Sequence, residues 1–176
     1  MENTIIKAIM ARKSVREYSD REISPEAIRI ILEAGMSGPS AVNARPWEFI
    51  AVTDPEMLAK MAESNGRAAR PLKGAKLGIL ICGNLEKAFS RAPEYWIVDA
   101  AIAGQNMILA AESLGIGSVW LGTWPQEEKV GNQKALFNLP EHIVPHSIIA
   151  FGYPKEDGEN LVRNHWEEDR VHYNQW

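Results

Sequence analysis

The run from Pro93 to Leu114 constrains the fold more than any other part of the chain. Ala100, Ala101, Ala103, Gly104, Met107, Ile108, Ala110 and Ala111 leave it apolar nearly all round at helical spacing. A helix with no polar face is a buried helix. Its small residues let neighbours approach closely on several sides, so the run is expected inside the domain, packed as well against a second subunit. Asp99 interrupts it. A carboxylate inside an apolar helix is expected to cap a backbone group or to meet a cation.

Shorter elements are legible around this axis. Ile5, Ile6, Ile9 and Met10 share one face of a helix over residues 3–11. Ser24-Pro25-Glu26 combines a capping hydroxyl, a proline at the first helical position and an acid in the first turn. Ile28, Ile31, Leu32 and Gly35 follow as its apolar stripe, and Gly38-Pro39 ends it. Trp47 to Thr53 reads as a strand, and Asp54-Pro55 opens another short helix. Leu77 to Cys82 is a continuous apolar run, the pattern of a strand covered on both faces. Gly115 ends the long helix, Ile116 to Leu121 forms a strand, and Gly122-Thr123-Trp124-Pro125 turns the chain. A helix over 126–136 precedes a last strand, Val144 to Phe151. Strands and helices mix without strict βαβ alternation. The expected class is α+β, a central mixed or antiparallel sheet flanked by helices.

With 176 residues the chain reads as one domain, 1–176, able to bury roughly 70% of its unfolded surface. Its net charge of −4 argues against a nucleic-acid partner. The single Cys82 cannot form an internal disulfide, which fits a reducing, cytoplasmic setting. No signal peptide is expected, and no stretch reaches the ~20 apolar residues that span a bilayer. The four histidines share no metal-ligand spacing, so no metal is expected. Residues 155–176 carry three Lys/Arg against six Asp/Glu, with Trp166, Val171, Tyr173 and Trp176 as apolar anchors. They read as an extended arm lying on a protein surface, its own or a partner's.

Four segments carry residue types suited to chemistry. Arg12, Lys13, Ser14 and Arg16 set three cations and a hydroxyl in five residues, enough to grip one phosphate. Alone they read more readily as a solvated basic turn at a helix end. Pro39-Ser40-Ala41-Val42-Asn43 is a turn-forming run whose Ser40 and Asn43 suit the polar edge of a flat heterocycle, or serve simply as a loop into the next strand. In Ile116 to Thr123 a strand ends in a glycine turn, which reads first as a plain strand and turn, or as a place where backbone N–H groups reach a ligand closely. In the arm, Arg163 and His165 are two residues apart and point the same way if extended, so both could reach one phosphate, although on local sequence Arg163 reads first as a solvated cation in an acidic tail. A phosphate clamp beside a planar, polar-edged site suggests flavin mononucleotide, FMN.

Together these segments resemble the FMN-dependent nitroreductase family, in its short-chain form. Arg12-Lys13-Ser14-x-Arg16-x-Tyr18 is similar to its phosphate-binding start, and Pro39-Ser40-x-x-Asn43-x-Arg45-Pro46-Trp47 to its Pro-Ser-x-x-Asn-x-Gln-Pro-Trp segment. Asp99 through Gly122 resembles its central helix and following strand, and Arg170 to Trp176 its ending. The resemblance implies a homodimer with FMN at the subunit interface and the C-terminal arm exchanged between subunits. It implies that Arg12, Lys13, Ser14 and Arg16 hold phosphate, ribityl chain and pyrimidine edge, with Arg163 and His165 closing on the phosphate. Pro39, Ser40 and Asn43 would come from the partner, and Leu121, Gly122 and Thr123 would lie along the ring. The implied activity is ping-pong hydride transfer from NADH or NADPH through FMN to nitroaromatic, quinone or similar flat acceptors, with no catalytic protein acid or base. Alternatives are an FMN-storing dimer and a relative that cleaves flavin or removes halogen. Arg45 stands where the family has Gln, and Asn65 is a possible polar contact.

Overall fold

The computed structural model describes residues 4–155 and 166–176. Its centre is a four-stranded sheet of β1 (Trp47–Val52), β2 (Leu77–Asn84), β3 (Gly117–Gly122) and β4 (Ile143–Gly152), ordered β1-β2-β4-β3. All three pairings are antiparallel. The central strands β2 and β4 are buried at every position, which is why both read as continuous apolar runs. β3 is an edge strand, and that position matters for everything below.

Side-chain alternation along β2 divides the core in two. Leu77, Ile79 and Ile81 face α4 (Tyr95–Ser113) and α2 (Pro25–Met36), in a cluster with Ile31, Met107 and Phe151. Leu80 and Cys82 face the other side, where α3 (Pro55–Ser64) brings Leu58 and Met61. α5 (Glu127–Phe137) packs against α3 and β4. The capping residues read from sequence do their work: Ser24 Oγ accepts from the Ala27 N–H at 3.2 Å, and Asp54 Oδ1 from the Met57 N–H at 2.8 Å.

α4 begins two residues later than the sequence pattern implies. It is buried along most of its length, as its composition demands, but one stripe is open: Val98 and Gln105 are exposed, and Ile102 and Leu109 half-buried. α1 (Thr4–Ala11) buries no residue at all, and Ile5, Ile6, Ile9 and Met10 are all exposed. A 3-10 helix over Arg67–Gly74, unforeseen in the sequence, follows α3. Its three-residue period puts Ala69 and Leu72 in the core and Arg67, Arg70 and Lys73 outside.

Candidate functional site

After α1 the chain lies along the outer edge of β3. Ser14 bridges Ser118 in parallel, the Val15 N–H donates to the Ser118 carbonyl at 2.8 Å, and Tyr18 bridges Pro154. The Tyr18 hydroxyl donates to the Val15 carbonyl at 2.8 Å, with the Ala150 carbonyl 3.2 Å away. Two glycines permit this close fit. A Cβ on Gly117 would stand 2.7 Å from Val15 Cβ, and one on Gly152 would stand 2.6 Å from the Tyr18 ring. The sheet therefore fixes the backbone that carries Lys13, Ser14 and Arg16.

Beyond Ser118 the β3 edge, Val119 to Gly122, lines a cleft of about 990 Å³. An uncovered strand edge presents backbone donors and acceptors. Arg16, Arg67, Arg70, Lys129 and Lys155 line this cleft with a single acid, Glu17. That is a concentrated positive field in a chain of net charge −4. The end of β3 is braced from within: Asn65, buried at the C-terminus of α3, donates from Nδ2 to the Gly122 carbonyl at 3.2 Å and accepts from Thr123 Oγ1 at 2.9 Å. Lys129 Nζ approaches the same carbonyl at 3.4 Å.

The residues singled out in the sequence do not all converge on this cleft. Arg16, Leu121 and Gly122 line the large cleft, and Lys13 and Ser14 share an adjoining hollow of about 240 Å³ with Arg16 and Lys155. Arg12 is half-buried near Glu112, whose carboxyl is raised by burial and partly lowered again by Arg12 and Lys13. Thr123 is fully buried and braces Asn65 without facing the cleft. Pro39 and Ser40 line a separate pocket of about 350 Å³ with Tyr95 and Val98 of α4, and Asn43 is exposed beside it. One chain does not bring them onto the Arg16 cleft. Arg163 and His165 lie outside the described residues.

The loop that carries Ser40 and Asn43 is strained. Val42, Asn43 and Arg45 all have left-handed backbone, at φ 48°, 59° and 50°, which is uncommon for any residue with a Cβ and most costly for β-branched valine. Two side chains hold it. Ser40 Oγ accepts from the Arg45 N–H at 2.9 Å, and Asp99 Oδ1 accepts from the Ala41 N–H at 3.0 Å. Asp99 thus caps a backbone group, as expected. Its second oxygen is buried with no partner among the described residues, and burial holds the carboxyl above its ordinary value. Arg45 donates to the Met36 carbonyl at the end of α2 and lies over the Trp47 ring.

Arg67, Arg70 and Lys129 were not found from sequence. The period-three pattern of 67–74, two apolar positions against three cations, is the signal that marks the first two. No group of three metal-ligating side chains occurs among the described residues, and no described helix is long and apolar enough to cross a membrane.

The model of the nitroreductase family matches residues 9–153. A protein of Methanothermobacter thermautotrophicus, provisionally named an NADH dehydrogenase/NAD(P)H nitroreductase, is 42% identical over 172 residues, covering 98% of this chain and 87% of its own. An FMN-dependent nitroreductase from Clostridium difficile has the same fold at a TM-score of 0.88 and 30% identity, over 97% of this chain and 99% of its own. A provisionally named nitroreductase from Desulfovibrio desulfuricans, in complex with FMN, reaches 0.78 at 32% identity, over 94% of each chain. The match runs through the cationic segment, the strained loop, α4 and the β3 edge alike, and the chain belongs to the nitroreductase family.

Proposed function

We propose that this chain is an FMN-dependent oxidoreductase that uses NADH or NADPH, in a ping-pong hydride transfer, to reduce nitroaromatics, quinones or similar flat acceptors. The cationic cleft along the uncovered edge of β3 is the observation that carries this reading. Its volume is within the range of small-molecule sites. Its cations suit a phosphate monoester, its strand edge suits the hydrogen-bonding rim of isoalloxazine, and the relatives' names supply the cofactor and donor class.

Arg12, Lys13, Ser14 and Arg16 would hold phosphate, ribityl chain and pyrimidine edge, with Arg163 and His165 on the phosphate. Leu121 and Gly122 would lie along the ring, Thr123 holding them through Asn65. Pro39, Ser40 and Asn43 would reach the site from a partner subunit. That assignment rests on their separate pocket and on the uncovered apolar stripes of α1 and α4. When bound, FMN supplies the redox chemistry, accepting hydride from a dihydronicotinamide and releasing the electron pair to the acceptor. The protein binds and orients the ring, and sets Arg16 where positive charge favours electron uptake. No side chain is assigned a proton-transfer role.

Anaerobic mixing of the FMN-loaded protein with NADH or NADPH is the test. Loss of the blue absorption band, followed by its return when menadione or a nitroaromatic is added, is expected. A band that neither donor bleaches overturns the reading.

A further inference from the structure

We propose that Arg45 is a positioning residue: it ties the start of β1 back to the end of α2, and so holds the loop of Ser40 and Asn43 in the shape that presents them to a flavin. The inference rests on the function proposed above and adds a residue that acts on the cofactor through Ser40.

The loop runs over residues 37–45 between two fixed posts. The end of α2 is pinned from α4, where Asn106 Nδ2 donates to the Ala34 carbonyl at 3.2 Å and Met107 packs so closely on Gly35 that no Cβ would fit. The start of β1 is pinned by the sheet: Trp47 pairs with Gly83, and the Asn84 N–H donates to the Pro46 carbonyl at 2.6 Å. Between the posts, Val42, Asn43 and Arg45 are left-handed. Such backbone persists only where its surroundings over-determine it.

Arg45 supplies two of the restraints. Its N–H donates to Ser40 Oγ at 2.9 Å and closes the loop on itself, and its Nη2 donates to the Met36 carbonyl at 3.2 Å. That carbonyl is one of the last four of α2, which no helix N–H can satisfy. Ser37 and Gly38 serve Glu33, Ala34 and Gly35, and Met36 is left to Arg45. α2 has no basic residue in its last turn, so the guanidinium also brings the cation that a helix C-terminus favours. No carboxylate pairs with Arg45 among the described residues. The bond to Ser40 has a chemical consequence. A hydroxyl oxygen that accepts from the Arg45 N–H keeps its own proton to donate, and Ser40 lines the pocket of about 350 Å³. A donor fixed in this way suits a carbonyl on the pyrimidine edge of isoalloxazine. Without the tie to Met36, residue 45 is free to leave its left-handed conformation, and the N–H that orients Ser40 moves with it.

The test uses Arg45→Met, which keeps the stem and removes the donors, Arg45→Lys, which restores a donor, Ser40→Ala, and Arg45→Met combined with Ser40→Ala. Arg45 is exposed, so folding is not at stake. Affinities for FMN and for riboflavin are titrated, and visible circular dichroism of the bound flavin reports the surroundings of its ring. Arg45→Met is expected to weaken FMN and riboflavin alike, about fivefold, the scale of one hydrogen bond, and to change the dichroism. Arg45→Lys should stay within about twofold of the wild type and keep the dichroism. The combined variant should lose little more than Ser40→Ala alone, since both changes act on one contact. A loss confined to FMN would mean that Arg45 touches the phosphate and overturns the proposal. So do additive losses in the combined variant, a loss as large in Arg45→Lys as in Arg45→Met, or unchanged affinities. A wild-type protein that binds neither flavin would instead overturn the function on which the proposal rests.

Discussion

His146 is buried in β4 with its ring edge-on to Trp96 and Trp120, and burial depresses its pKa to about 4 from an ordinary 6.5. Below pH 6.5 the unfolded chain binds this proton more readily than the folded one. The stabilisation is complete above 6.5 and is lost as pH falls through 4, by at most about 3 kcal/mol. Thermal melts from pH 7 to 4 should show that loss, and His146→Phe should flatten it; an equally steep curve in the variant would assign the acid sensitivity to other groups. Asp99 has the opposite sign. Its carboxyl is raised by burial, so its contribution is fullest at low pH and declines as pH rises above the ordinary value of 3.8. The Ala41 N–H it accepts also decides the shape of the strained loop. Asp99→Asn keeps an acceptor there, whereas Asp99→Leu strands a backbone donor at a cost of about 1–3 kcal/mol. FMN titration should show weakened binding in the leucine variant and near-normal binding in the asparagine variant. Equal loss in both would mean that the charge matters, and not the hydrogen bond.

At the scale of elements, the contact between residues 12–18 and the β3–β4 edge fixes the backbone of the proposed clamp. Gly117→Ala would drive a methyl group into Val15, whose branched side chain has little freedom to move. A stability loss of about 1–3 kcal/mol is expected, together with weaker FMN binding, since the strand bearing Arg16 must shift. Denaturant melts and FMN titration on the same sample check both, and an unchanged FMN affinity would separate the clamp from this contact. The helices and strands themselves were largely legible in the sequence, because caps such as Ser24 and Asp54 and runs such as Leu77–Cys82 are local signals. The strand order was not, since β2 pairs with β4 across some sixty intervening residues and nothing local records it. The family resemblance puts Arg16 and the Leu121–Gly122 edge at one cofactor, and the Ser14–Ser118 bridge is the contact that brings them onto one cleft, which no local pattern records. Thr123 was expected along the ring, yet the turn after β3 rotates it inward onto Asn65. The 3-10 helix escaped because eight residues with a period of three resemble a loop when scanned at 3.6.

The whole molecule poses a question of counting. One chain carries the proposed clamp on the β3 edge and a strained polar loop over a different pocket, and it leaves Ile5, Ile6, Ile9 and Met10 of α1 and Val98 of α4 uncovered. Apolar exposure of this extent favours association. If two copies pair so that each loop completes the other's cleft, the two defects become complementary. A chain with Arg12→Ala and Arg16→Ala has no clamp but a good loop; a chain with Ser40→Ala and Asn43→Ala has the reverse. Neither homodimer should hold FMN tightly. In a mixed dimer one site inherits both defects and the other inherits none, so random re-pairing of equal amounts restores about one quarter of the sites. Sites built within one chain would gain nothing from mixing. Unfolding and refolding the two variants together, then titrating FMN, distinguishes these outcomes, and sedimentation of the same samples shows whether the recovered sites travel with the dimer.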